Sequence, residues 1–146
     1  MYRMTPTVFS MQVLPFANDK IGPGAPPLRT DKGWLTLFHA VERDDSRGKN
    51  GWESKWTKRY YAGAILLDLN DPTKILGITK RPLLSPTTDY EKSEGYRTHV
   101  IFPGGIVPCR EDSKNTVIYY GASDTVECAA AVNIDELILQ MKKGMA

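Results

Sequence analysis

The chain has 146 residues, of which 41% are hydrophobic and 25% are charged, and its formal net charge is +2. This composition is typical of a globular protein with enough residues for one core, so we predict a single domain over residues 1–146. The small net charge and the lack of a dense run of Lys and Arg argue against a nucleic-acid partner.

The first half of the chain predicts short β-strands separated by turns and loops. A punctuated loop at residues 22–27 cannot lie inside a helix because it holds three prolines, and residues 31–33 read as a hairpin turn. Residues 42–57 are polar and form a predicted long loop. The predicted strands, in chain order, are residues 7–14, 28–30, 34–41, 59–69 and 74–79.

The second half of the chain predicts three further strands and one helix. A long loop at residues 81–95 precedes strands at 98–107, 116–121 and 125–132, and the Pro-Gly-Gly at 103–105 indicates a bulge in the first of these. Asn133 is placed to cap a helix over residues 134–143, with Glu136 three residues on. The strands fall into two batches, 28–79 and 98–132. A repeat of about 40–50 residues with three or four strands is typical of a propeller blade, and the second batch lacks a fourth strand.

The remaining composition signals concern location and metal binding. Residues 1–16 contain no apolar run long enough for a signal peptide or a membrane span, so we expect no membrane partner and a cytoplasmic location. Cys109 and Cys128 share no metal-ligand spacing with each other or with the histidines, and no metal site is predicted. Two thiols fit a reducing compartment, and a single disulfide between them stays open.

Four sequence blocks together resemble glycoside hydrolase family 130. The blocks are IGPGAPPLRTDKGWLTLFHAV (21–41), YYAGAILLDLNDPTKILGIT (60–79), HVIFPGGIV (99–107) and IYYGASDTV (118–126). Each block alone is a weak signal, but all four occur in the family's order with plausible gaps. The resemblance covers about residues 19–139.

The resemblance implies both a fold and an activity. Family members are five-bladed β-propellers about twice this length, and they act on β-mannosides with inversion, mostly by phosphorolysis to mannose 1-phosphate. We therefore expect an all-β chain forming part of a propeller, about two blades plus an extra strand, with a C-terminal helix. The family's general acid is an aspartate of the N-terminal blades, and no segment here matches that block. No catalytic residue is assigned, and the chain is expected to be inactive alone.

The resemblance also implies which residues bind phosphate. Phosphate is itself an anionic nucleophile, so the protein needs only cations and hydrogen-bond donors to hold it in line. The matching positions are Arg29, where relatives typically have Lys, together with His39 and Tyr60. Each residue also has a purely structural interpretation. Arg29 is then a surface residue, His39 a hydrogen-bonded structural residue and Tyr60 a core aromatic. Phosphate is the implied co-substrate, and no cofactor is predicted.

The predicted sugar-binding residues are Asp124 and His99. Asp124 lies in a turn between two strands, where aspartate is also favoured structurally. His99 stands where many relatives have Asn, and Gly104 replaces a common Cys. Asp68 and Asp71 match the family block, but the sequence around them favours a structural turn.

Three readings of function stay open. The chain is part of a β-mannoside phosphorylase, part of a β-mannoside hydrolase of the same family, or a non-catalytic carbohydrate-binding or assembly half-propeller. The expected ligands are a mannoside or mannooligosaccharide and phosphate, and the expected partner is a missing N-terminal half or a second copy. All readings require that Arg29, His39, Tyr60 and Asp124 converge on one cavity.

Overall fold

The computed structural model describes residues 14–47, 56–112 and 114–143, so most of the predicted strand at 7–14 and half of the predicted loop at 42–57 lie outside it. The described chain is mostly β, with antiparallel sheets and a C-terminal helix, as the sequence predicts. Its elements are β1 Lys20–Pro23, β2 Leu28–Arg29, β3 Trp34–Arg43, β4 Lys58–Leu67, β5 Ile75–Ile78, α1 Asp89–Lys92, β6 Ile101–Pro108, β7 Asn115–Ala122, β8 Val126–Asn133 and α2 Ile134–Lys143.

The first sheet is built on the antiparallel pair of β3 and β4. These ten-residue strands pair along their whole length, from Trp34 opposite Leu67 to Arg43 opposite Lys58. Strand β5 adds to the free side of β4, while β1 and β2 both pair with β3. Because β1 and β2 share one edge, the sheet is four strands wide.

Local sequence explains the edge of this sheet that β1 and β2 form. The predicted hairpin turn is confirmed: Gly33 has a φ of 151°, and the Thr30 N–H donates to its carbonyl at 3.0 Å. Strand β1 was missed, because its Gly22 and Pro23 read as loop residues. Pro23 lies at the end of β1, where a missing backbone donor is tolerated.

The second sheet has the order β6–β7–β8. The predicted bulge is confirmed by a register shift between Pro103 and Gly105. The hairpin from β7 to β8 closes through Ser123 and Asp124, whose φ angles are 52° and 51°. The Thr125 N–H donates to the Ala122 carbonyl at 3.0 Å across this turn. Two central residues with positive φ define a type I′ turn, which matches the twist of paired strands.

Helix α2 closes the core between the two sheets and spans the residues that the sequence predicts. The Asn133 side-chain oxygen accepts the Glu136 N–H at 3.1 Å, so the predicted cap is confirmed. The apolar face of α2 packs against Leu35, Leu66 and Ile118. Its buried side chains are Ile134, Leu137, Ile138 and Met141. Each contributes roughly 1.5–3 kcal/mol by burial.

Two further differences from the sequence concern the loops and the thiols. The predicted loop at 81–95 contains the short helix α1, and Leu84 makes an isolated bridge to Ala62. Cys109 and Cys128 are both free thiols, so the disulfide that the sequence left open does not form.

Candidate functional site

Three of the four residues expected to converge line one cavity of about 290 Å³. They are His39 on β3, Tyr60 on β4 and Asp124 in the β7–β8 turn. Among the residues that the structure describes, the same cavity is also lined by Lys20, Trp56, Arg97, Val100 and Phe102. The cavity thus combines imidazole, hydroxyl and carboxylate groups with two cations.

The expectation that Arg29 joins this cavity is wrong. Arg29 lines a separate cavity of about 530 Å³ beside Lys114 and Asp135, near the start of α2. The reason lies in the register of β3, since Arg29 pairs opposite Trp34 whereas Gly22 pairs opposite His39. Five residues separate those positions on β3, which is about 17 Å along the strand and turns the side chains to opposite faces.

The His39 ring lies directly over Gly22. A Cβ atom added at Gly22 would come within 2.3 Å of His39 Cε1 and 2.7 Å of Nε2, so only glycine leaves room for the ring. His39 Nδ1 lies 3.0 Å from the Pro23 carbonyl oxygen and donates to it in this geometry, which leaves Nε2 for a ligand. Burial lowers the pKa of His39, with the charge of Lys20 acting in the same direction and the Pro23 carbonyl opposing both. The ring is therefore biased towards its neutral form before an anion binds.

A row of aromatic rings forms one wall of the cavity. The His39 ring lies 4.6 Å from the Phe102 ring and is stacked on Tyr60 at 5.8 Å between centroids. Tyr60 is in turn stacked on Trp56 at 5.8 Å. The predicted alternation along β4 is confirmed, because the Tyr61 hydroxyl points away and donates to Glu42 Oε2 at 2.8 Å. A flat apolar wall of this kind suits the face of a sugar ring.

Two cations that sequence reasoning missed stand beside this wall. Lys20 Nζ lies 5.4 Å from the centre of the Tyr60 ring, and the Arg97 guanidinium lies 4.8 Å from that of Trp56. Arg97 also approaches Asp124 Oδ2 at 3.7 Å. For Lys20 a signal existed, since it directly precedes the Ile-Gly-Pro-Gly block. Arg97 lies in a loop with no family pattern and gave none.

Asp124 is aimed into the cavity by its turn. Ser123 and Asp124 both adopt the left-handed conformation, which costs more for these residues than for glycine. The turn is held because the Ser123 N–H donates to the Val100 carbonyl at 3.0 Å. Strained backbone of this kind concentrates at functional sites.

The backbone of His99 links the segment after α1 to strand β4. Its φ of 62° is left-handed, a conformation in which Asn and His are enriched. The His99 N–H donates to the Glu91 carbonyl at 2.8 Å, and the His99 carbonyl accepts the Tyr60 N–H at 2.9 Å. His99 is not among the described residues that line the cavity, and its contact with substrate stays a prediction.

The structural reading of Asp68 and Asp71 is confirmed. Asp68 Oδ1 accepts the N–H groups of Asn70 and Asp71 at 2.9 and 3.0 Å, and Asp71 Oδ1 accepts the Thr73 N–H at 3.2 Å. The two backbone hydrogen bonds lower the pKa of Asp68, and hydrogen bonds from the Thr73 hydroxyl and then from its N–H lower the pKa of Asp71. Both side chains stabilise the turn between β4 and β5.

The described part of the chain holds neither a metal-ligand cluster nor a membrane-spanning helix. No three His, Cys, Asp or Glu side chains there are grouped so that they could hold a metal ion. Neither helix in the described ranges has the length and apolar character needed to cross a bilayer.

A mostly β chain whose cavity joins cations, an aromatic wall and a carboxylate presents groups that can contact both a sugar ring and an anion. The chain belongs to glycoside hydrolase family 130. The profile of that family, described as beta-1,4-mannooligosaccharide phosphorylase, matches residues 2–143.

Individual relatives agree with this family. The chain is 34% identical over 127 residues to a beta-1,2-mannobiose phosphorylase of Listeria innocua serovar 6a, covering 87% of this chain and 31% of the relative. It is 35% identical over 123 residues to a 1,2-beta-oligomannan phosphorylase of Thermoanaerobacter sp. (strain X514), covering 84% and 33%. The solved complex of the Listeria innocua enzyme with beta-1,2-mannobiose superimposes with a TM-score of 0.67 at 35% identity, over 85% of this chain and 30% of that chain. The chain thus spans about a third of the length of these relatives.

Proposed function

We propose that this chain is the C-terminal portion of a β-mannoside phosphorylase-like enzyme, which cleaves β-mannosides with inorganic phosphate to give mannose 1-phosphate. The observation that carries this proposal is the convergence of His39, Tyr60 and Asp124 on one cavity. Family membership and the phosphorylase relatives support it. The first sheet is four strands wide and the second has three strands, which is consistent with two blades of a five-bladed propeller, the second lacking one strand.

The cavity offers the groups that phosphorolysis requires. The negative charge of bound phosphate favours the protonated form of His39, whose Nε2 then donates to a phosphate oxygen. The Tyr60 hydroxyl is a second donor, and Lys20 places a positive charge beside it. Arg29 lines a different cavity, so in this proposal Lys20 takes the cationic part that the sequence assigned to Arg29. Asp124 accepts hydrogen bonds from sugar hydroxyls, and the aromatic wall supports the sugar ring. Because phosphate is already charged, no carboxylate base is needed to activate it.

Binding and turnover test the proposal separately. Calorimetric titration of the 146-residue chain with phosphate and with mannose should show saturable binding, weakened in His39→Ala for phosphate and in Asp124→Asn for mannose. Release of mannose 1-phosphate from a β-mannoside should be undetectable for this chain alone, because no residue here is assigned as the general acid. Wild-type binding that His39→Ala leaves unchanged would overturn the assignment of the phosphate site.

A hydrolase of the same family is the first alternative. Both enzymes need the same sugar site, and they differ in whether phosphate or water attacks. If the chain completed by its missing part released free mannose from a β-mannoside at a rate independent of phosphate, hydrolysis would replace phosphorolysis as the proposed reaction.

The non-catalytic assembly reading is favoured by one observation, the apolar outer face of the second sheet. Val107 and Tyr119 point to this side and are 52% and 42% exposed. Exposed large apolar side chains grouped on one sheet face are typical of an association surface. We propose that this face meets the missing N-terminal half of a propeller, with a second copy of the chain as the other possible occupant. Gel filtration of the chain alone distinguishes them, because self-association gives a dimer at micromolar concentration.

A further inference from the structure

The segment between β5 and β6 is organised around one buried carboxylate. Glu91 on α1 is only 2% exposed. Its Oε2 accepts the N–H groups of Thr87 and Thr88 at 2.7 and 2.9 Å, and its Oε1 accepts the Tyr120 hydroxyl at 2.9 Å from the second sheet. Burial alone would raise the pKa of Glu91, but the hydrogen bonds to its carboxylate, led by that of the Thr88 N–H, outweigh burial and lower the pKa. The carboxylate therefore ties the segment to β7 as a charged group.

The same segment holds one wall of the cavity through its main chain. The Glu91 carbonyl accepts the His99 N–H at 2.8 Å, and the His99 carbonyl accepts the Tyr60 N–H at 2.9 Å. The neighbouring Thr98 carbonyl accepts the indole N–H of Trp56 at 2.9 Å. Both aromatic residues at this end of the wall are thus fixed by consecutive carbonyls of one segment.

The segment also holds the opposite wall, which carries Asp124. The Arg97 N–H donates to the Ser123 carbonyl at 3.1 Å, and the Tyr96 N–H donates to Thr125 Oγ1 at 2.9 Å. These contacts brace the strained turn on both sides of Asp124. Tyr60 belongs to the first sheet and Asp124 to a turn of the second, and this segment contacts the backbone beside both of them.

We propose that Glu91 is a positioning residue that sets the distance between Tyr60 and Asp124 by fixing residues 87–100. It does not line the cavity and acts only through the segment that it anchors. The identity of the two ligands in the cavity rests on the proposed function, whereas the anchoring of the walls does not. Replacing Glu91 by Ala leaves four donors without this acceptor: the N–H groups of Thr87 and Thr88 and the hydroxyls of Thr87 and Tyr120. Replacing it by Gln keeps an oxygen for the two N–H groups and a polar group for the Tyr120 hydroxyl.

The first test measures the environment of Trp56 through the indole N–H signals in ¹⁵N NMR spectra of the 146-residue chain. Trp→Phe variants assign each signal to its tryptophan. In Glu91→Ala the Trp56 signal should shift and exchange faster with solvent, while the Trp34 signal, whose N–H donates to the Leu69 carbonyl at 3.3 Å, stays in place. Glu91→Gln should lie close to the wild type. An unmoved Trp56 signal in Glu91→Ala, or equal changes at both indoles, would overturn the proposal.

The second test measures affinity for mannose and for inorganic phosphate well below the unfolding temperature. Glu91→Ala should weaken mannose binding at least about tenfold. The control is Met141→Ala in α2, a fully buried core position that lies outside residues 87–100 and does not line the cavity, which should lower the unfolding temperature without changing affinity. Equal affinity losses in both variants would mean a purely structural role and would refute the proposal. If neither ligand binds to the wild type while the Trp56 result holds, positioning stands and the proposed function fails.

Discussion

Replacing Gly22 by Ala is the sharpest perturbation of the cavity, because the added methyl group occupies space that the His39 ring now fills. The resulting contacts of 2.3 and 2.7 Å to His39 Cε1 and Nε2 are well inside van der Waals contact. The nearest way to relieve them is rotation of the His39 side chain, since the backbone of β1 and β3 is fixed by their pairing. Rotation breaks the bond to the Pro23 carbonyl and removes Nε2 from the cavity.

The size of the effect follows from the groups involved. The lost Pro23 bond costs about 0.5–1.5 kcal/mol of folding free energy, and a lost charge-assisted bond to phosphate costs about 1.5–3 kcal/mol of binding free energy. Phosphate affinity should therefore fall by roughly 10- to 150-fold, measured by calorimetry, while the free energy of unfolding in urea falls by about 1 kcal/mol.

The chain offers a matched control in Gly104→Ala. Among the described residues, the nearest atom to a Cβ at Gly104 is the Tyr119 carbonyl oxygen at 4.0 Å, so the same methyl group meets open space. Phosphate affinity should be unchanged in this variant. If Gly22→Ala bound phosphate as the wild type does, or if Gly104→Ala lost as much affinity, the placement of His39 as a phosphate ligand would be refuted.

Three other outcomes are expected. The folded pKa of His39 lies below 6.5, so the free energy of unfolding should fall as the pH drops from 6.5 through the folded pKa. Urea titrations of His39→Gln should lack this part of the pH dependence. An identical pH profile in wild type and variant would contradict the prediction. Asp124→Asn should weaken mannose binding by about tenfold or more, read by calorimetry, while phosphate binding changes little. Tyr119→Lys places a charge on the exposed face of the second sheet, so a dimer of the wild type in gel filtration should become a monomer in this variant, and a variant dimer of wild-type strength would place the interface elsewhere. A monomeric wild type leaves the N-terminal half of a propeller as the occupant of this face.

Local sequence predicted the elements whose signals are complete within a few residues. Helix α2 has its Asn133 cap and its apolar spacing together in one stretch, and its bounds follow directly. Helix α1 has only four residues, and it is held by the buried Glu91, whose partner Tyr120 lies 29 residues away in the sequence. No local pattern carries that contact, so the segment read as a loop.

The site was predictable to a similar extent. His39, Tyr60 and Asp124 were found because they lie in family blocks, and the fold brings them together. Arg29 lies in the same block as His39, yet the pairing of β2 with the start of β3 sends it to another cavity. Arg97 reaches the cavity only through the folding of the segment after α1. Arg29 and His39 are close in the sequence motif but not in space, because they lie near opposite ends of the length of β3.

The bulge in β6 is a position at which the strand can lose one residue without turning its core side chains outwards. One extra residue between Pro103 and Gly105 lets both Ile101 and Ile106, an odd number of positions apart, turn towards the interior side of the sheet. Deleting Gly104 would leave an even spacing, and plain alternation then keeps both isoleucines inside. In β7, whose register with β8 is continuous, the same deletion would turn every side chain on one side of the cut to the opposite face. A one-residue deletion at the bulge of β6 is therefore compatible with the core, whereas one within β7 is not.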